Sequence, residues 1–224
     1  MWDDKQLEYL IIHDLRNPAA SILGSIQLFL DGSLGQLSPE QQKFISNLGS
    51  GATKLANILA ELQIINFIET GKQDLLVETF PLQAVIDRPF LEAAAQRENK
   101  QLILNCDLAT TLQGDKTLLK LIFSDLLLNA IKQIPPGQTA TLQLLKGPKK
   151  VTFEIELPAI PVPAELVDQI FNANFKVIHP EFKSNISPAH GHYFCKLALQ
   201  KMLGDIRLEI GGTWSKYIFY LPQK

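Results

Sequence analysis

The chain has 224 residues, 46% hydrophobic and 20% charged, which is enough apolar material for one or two modest cores and argues against disorder. A net charge of -2 and the absence of a basic run exclude the electrostatic footprint that binding a nucleic-acid backbone requires. Cys106 and Cys195 are the only cysteines; they are too far apart for a disulfide framework or zinc ribbon and read as core thiols of a reducing compartment.

The amino-terminal Met1-Trp2-Asp3-Asp4 carries acids where a secretory signal carries positive charge. No stretch approaches the roughly 20 apolar residues of a membrane-spanning helix. A cytoplasmic location without direct membrane insertion is expected. From Leu7 onward, Ile11, Leu15, Pro18, Ile22, Ile26 and Phe29 recur at alternating steps of three and four, which predicts a long helix with one apolar stripe. Asp31 to Leu37 breaks that pattern. Ser38-Pro39-Glu40 then supplies a capping residue, a proline at the first helical position and an acid in the first turn. Phe44, Leu48, Ala52, Leu55, Leu59 and Leu62 carry the seam along a second helix, so residues 1–72 are expected to form a helical hairpin. Two helices cannot enclose a core of that width, and a second copy completing a four-helix bundle makes a homodimer the expected state.

Thr70-Gly71-Lys72 closes this region, and residues 73–224 show short apolar runs separated by turns. Strands are predicted over 75–80 and 102–106, with a helix over 83–98 between them and a long helix over 117–133, ended by Pro135-Pro136-Gly137. A hairpin over 141–145 and 151–157 follows. Helices are predicted near 165–171 and over 193–203, and a closing hairpin over 206–210 and 217–221. The expected class is α+β, a helical hairpin followed by a two-layer α/β sandwich with mostly antiparallel strands.

His13 falls opposite the apolar stripe and should face solvent, with Asp14 beside it and Asn17 one turn later. An imidazole nitrogen can attack phosphorus while a neighbouring carboxylate orients the ring and takes up its proton. By helix geometry alone, a solvated surface histidine is the commoner outcome.

Ile12-His13-Asp14-Leu15-Arg16-Asn17-Pro18 resembles the H box of two-component sensor histidine kinases, departing from it at Ile12, where serine is common. Leu37-Ser38-Pro39-Glu40-Gln41 and Ile68-Glu69-Thr70-Gly71-Lys72 resemble the turn and exit of that family's dimerisation domain. The resemblance implies that His13 carries phosphate, that Asp14 tunes its imidazole, that Arg16 meets phosphate or receiver acids, and that Asn17 positions a water. An amide at that place leaves a phosphatase activity open. Pro18 would act as a bending point.

Residues 73–224 resemble the family's ATP-binding domain in outline. Leu121 to Lys132 resembles the N box, in which Asn129 and Lys132 match the positions that hold magnesium and phosphate, while Asp125 stands where asparagine is usual. Leu157-Pro158-Ala159-Ile160-Pro161-Val162 replaces the adenine-binding aspartate and both glycines of the next motif. Ala189-His190-Gly191-His192 keeps one glycine of the last loop. His190 and His192 lack the further ligands of a zinc set, so no metal site is expected and a polar loop is read there.

The leading expectation is therefore a degenerate histidine kinase or histidine phosphotransferase that exchanges phosphate between His13 and the aspartate of a response-regulator receiver domain. No cofactor is expected. ATP and magnesium enter only under the alternative of an active kinase with a diverged pocket. A further alternative is a non-catalytic dimeric scaffold for a receiver or a kinase.

Overall fold

The computed structural model describes residues 4–72, 74–160, 162–173 and 191–223. Contacts divide the chain into two units, Met1–Gln73 and Asp74–Lys224.

The first unit is an antiparallel pair of long helices, α1 (Asp4–Leu30) and α2 (Pro39–Glu69). Gly32 and Gly35 turn the chain between them with φ of 80° and 106°, the left-handed region open to glycine. Ser38 then opens α2 with a reciprocal capping box. Its hydroxyl accepts the Gln41 backbone N–H at 3.3 Å, and its own N–H donates to Gln41 Oε1 at 2.8 Å.

The burial pattern of α1 corrects the expected seam. Among the described residues, Ile12, Ala19 and Ile26 of α1 are covered within the hairpin, together with Ala52, Leu59, Ile65 and Asn66 of α2. Of the predicted stripe, Ile11, Leu15 and Ile22 are about half exposed, at 51%, 49% and 51%, and Phe44 of α2 reaches 64%. Two packed helices cover only a narrow line of each, and residues seven apart, two turns along, share that line. The broader apolar stripe beside it stays on the surface of a single chain.

The second unit runs β1 (Val77–Pro81), a 3-10 turn (Leu82–Ala84), α3 (Arg88–Arg97), β2 (Gln101–Asn105), β3 (Thr111–Asp115) and α4 (Lys116–Gln133). It continues through β4 (Thr139–Lys146), β5 (Lys150–Pro158), a 3-10 segment (Ala164–Phe171), α5 (Gly191–Lys201), β6 (Asp205–Ile210) and β7 (Trp214–Pro222). The helix expected over 83–98 is split. Asp87 accepts the Phe90 N–H at 3.2 Å and restarts the chain as α3, with Pro89 in its first turn. The segment near 165–171 winds as 3-10 rather than α-helix.

Five strands form one sheet in the order β2-β4-β5-β7-β6, while β1 and β3 pair separately. All pairs are antiparallel except β2 with β4, whose connection crosses over through α4. On β5, Val151, Phe153, Ile155 and Leu157 alternate inward and are buried. Phe153 and Phe219 of the sheet meet Phe123 of α4 edge-on, with ring centroids 4.9 and 5.4 Å away. The outward face is polar: Lys216 Nζ lies 3.2 Å from Glu154 Oε2 and 3.1 Å from Glu156 Oε2.

After α5 the chain turns through Leu203, a leucine with φ of 62° and 79% exposure. The Gly204 N–H returns to the Leu199 carbonyl at 2.8 Å. Left-handed backbone costs a side-chain-bearing residue roughly 1–2 kcal/mol, and exposed Leu203 gains little packing in return. Leu203→Gly is expected to stabilise the second unit by about 1 kcal/mol, read as a higher urea midpoint at unchanged slope.

Candidate functional site

His13 lies on the outer surface of α1, one residue from buried Ile12. Its side chain is 54% exposed. Nδ1 stands 3.3 Å from Asp14 Oδ1, and since an ionised carboxylate can only accept, that contact favours the tautomer with the proton on Nδ1. Nε2 then keeps its lone pair. The Tyr9 ring, one turn earlier, lies 6.2 Å from the imidazole and 5.6 Å from the Phe67 ring of α2.

One turn after His13, Arg16 Nη1 donates to Gln63 Oε1 at 3.2 Å. That bond ties the guanidinium to α2 while leaving it at the surface. Asn17 is exposed, and its backbone carbonyl accepts Ser21 Oγ at 3.0 Å. Pro18 lies inside continuous α1; it has no N–H, so the Asp14 carbonyl lacks its usual helical donor. His13, Asp14, Arg16 and Asn17 therefore share one exposed stretch of α1. Sequence reasoning missed Gln63 and Phe67, because only the fold brings residues about 50 positions away to His13; Tyr9, at i−4, was legible by spacing.

In the second unit, Asn129 is 2% exposed on α4, and its Nδ2 has no hydrogen-bond partner among the described residues. Lys132 is exposed, and its backbone carbonyl accepts the nearly buried Lys100 Nζ at 3.2 Å. Asp125 is half-buried, with Cys195 Sγ 3.7 Å from its Oδ2.

Leu157 is 2% exposed, opposite Ser215 on β7. The Ser215 hydroxyl accepts the Ile160 N–H at 3.0 Å. Pro161 and His190 lie outside the described residues. His192 is not in a polar loop: it opens α5 at 3% exposure, with its ring 5.8 Å from Phe171 and 5.2 Å from Tyr217. The small and apolar residues around the start of α5 draw it inward. Neither cysteine is in a disulfide, and among the described residues no three His, Cys, Asp or Glu side chains group to hold a metal. No described helix is long and apolar enough to cross a membrane.

The chain thus joins a helical hairpin bearing a surface histidine to an α/β sandwich. No family model matches the sequence. The circadian input-output histidine kinase CikA of Synechococcus elongatus is 24% identical over 95% of this chain and 29% of that protein. The aerobic respiration control sensor protein ArcB of Escherichia coli is 27% identical over 75% of this chain and 22% of its own length. The chain thus spans less than a third of these relatives. Among solved structures, histidine kinase AdeS of Acinetobacter baumannii superposes with a TM-score of 0.62 at 18% identity, over 94% of this chain and 97% of that one. The catalytic domain of histidine kinase ThkA gives 0.55 at 19% identity over 67% of this chain and 96% of that one. The chain is thus similar in sequence to two-component histidine kinases, and it shares its fold with solved histidine kinase structures.

Tyr217 is wholly buried. Burial pushes its phenol well above the ordinary value of 10.0, with nearby Asp125 and Cys195 adding to the rise and the Gln133 hydrogen bond opposing it. A folded-state value raised above the unfolded one contributes stability that is whole below pH 10. That stability is lost as pH climbs from 10 toward the folded value. Tyr217→Phe is expected to flatten the alkaline fall in stability of the second unit, and the wild-type phenol should ionise only with unfolding, read from phenolate absorbance.

Proposed function

We propose that the chain is a phosphorelay protein that passes phosphate between His13 and the aspartate of a response-regulator receiver domain without using ATP itself. The observation that carries this reading is an exposed imidazole, held at Nδ1 by Asp14, together with a second unit in which Leu157, matched by resemblance to the adenine-binding acid, is buried and apolar and the facing Ser215 is bonded to backbone. In the forward step Nε2 attacks the phosphorus of an aspartyl phosphate. The N–P bond forms, the acyl P–O bond breaks, and its electron pair returns to the receiver carboxylate. Positive charge developing on the ring is stabilised by Asp14, which shares the Nδ1 proton. The reverse step uses the same atoms. Arg16 supplies positive charge one turn away, and Asn17 offers an amide to orient water for hydrolysis.

Several features support the absence of nucleotide chemistry. Leu157 offers no acceptor to an adenine amino group, and Ser215 spends its acceptor on the Ile160 backbone. Phe171 and Tyr217 each pack against the His192 ring in the interior. Loss of a polar contact in such a site costs on the order of 1–3 kcal/mol. The test is transfer of labelled phosphate from a panel of phosphorylated receivers. Wild type should become labelled and His13→Ala should not, while a fluorescent ATP analogue should not bind at micromolar concentration. Autophosphorylation from ATP would instead identify an active kinase, and receiver docking without phosphohistidine would identify a scaffold.

The dimeric four-helix bundle belongs to the same reading. Ile22, Phe29, Phe44, Leu48 and Leu55 line an open apolar groove of about 740 Å³ along the hairpin. Exposed apolar surface of this extent calls for a partner, and a second hairpin presents the same stripe. Leu48→Glu is expected to turn a dimer into a monomer in sedimentation equilibrium by placing charge inside that interface, with helix content largely kept.

A further inference from the structure

We infer that Tyr9 is the positioning residue for His13, fixing the plane of its imidazole from the preceding turn and linking that presentation to α2 through Phe67. The inference rests on His13 being the phosphate-bearing group, and it adds a residue outside the H-box stretch.

Side chains on a helix lean toward its amino terminus, so the His13 ring reaches back over the turn that Tyr9 occupies. The two rings are 6.2 Å apart and tilted by 36°, inside the range of interacting aromatic pairs. Tyr9 is half-buried and also meets the Phe67 ring, 5.6 Å away at 37°, near the carboxy-terminal end of α2. Asp14 holds one ring nitrogen and Tyr9 confines the ring plane, so Nε2 is the direction left for an incoming phosphoryl group. The Arg16–Gln63 bond makes a second cross-helix link one turn further on. His13 is thereby bracketed by two contacts whose α2 partners, Phe67 and Gln63, are themselves one turn apart. A shift of α2 along α1 would be felt at the imidazole through Tyr9 first.

The experiment compares wild type, Tyr9→Phe and Tyr9→Leu in the whole chain. It reads phosphate transfer from a phosphorylated receiver and the imidazole proton shifts of His13 by NMR. Tyr9→Phe keeps the ring and should match wild type in both. Tyr9→Leu keeps apolar packing on Phe67 and helix propensity. It should transfer about tenfold more slowly at unchanged KM, as expected for a misaligned nucleophile, and its imidazole shifts should lose the ring-current displacement.

A Tyr9→Leu variant that transfers at the wild-type rate would overturn the inference, as would a Tyr9→Phe variant as slow as Tyr9→Leu. If wild type accepts no phosphate, the proposed function fails and the imidazole shifts alone decide. Displacement in wild type and Tyr9→Phe that is lost in Tyr9→Leu upholds the positioning, and identical shifts in all three reject it.

Discussion

Ile12, Ala19 and Ile26 are spaced seven residues apart, two turns of helix, and all three are covered within the hairpin. That line sets the rotation of α1 about its own axis, and the rotation decides what every other residue of the helix faces. His13 is one step of about 100° from Ile12 and comes out to solvent. Ile11, Leu15 and Ile22 lie to one side of the line and form the stripe left open along the hairpin. A one-residue slip in the seam would bury the imidazole and expose Ile12. The alternation of buried aliphatics and small residues thus underlies the geometry of the histidine as directly as the residues touching it.

The second unit is held together by apolar packing across one face of its sheet. Its sheet needs apolar residues at alternate positions of β5 and β7 and an apolar face on α4, and Phe153, Phe219 and Phe123 meet that need. Nothing in this packing demands an acid at position 157 or an open space beside Tyr217. Leucine at 157 continues the alternation of β5, while Ser215 closes a bond to the neighbouring backbone. Leu157 thus adds packing, and Ser215 satisfies a backbone donor. The amide nitrogen of buried Asn129 has no hydrogen-bond partner among the described residues.

Much of this was legible in the residues. The two long helices, the Ser38-Pro39-Glu40 start of α2 and the length of α4 follow from 3.6-residue periodicity and from caps, which are local signals. The inward alternation of β5 was equally plain. Strand β3 was not: Thr111 to Asp115 contains a glycine and ends in the cap of α4, and it is a strand because β1, distant in sequence, pairs with it from Val77↔Asp115 to Pro81↔Thr111. The break before α3 was overlooked although Asp87 and Pro89 announce it, because the apolar period runs through them.

At the candidate site, the sequence by itself determined that His13, Asp14, Arg16 and Asn17 lie within two turns of one helix, since helical geometry places neighbours without reference to the rest of the chain. Only the tertiary structure decided which apolar line packs inside the hairpin, that Phe67 and Gln63 stand across from Tyr9 and Arg16, and that His192 is interior. Periodicity identifies an apolar face but does not divide it between a contact within the chain and a surface left for another. That division depends on the crossing of two helices, whose contacts link residues about fifty positions apart.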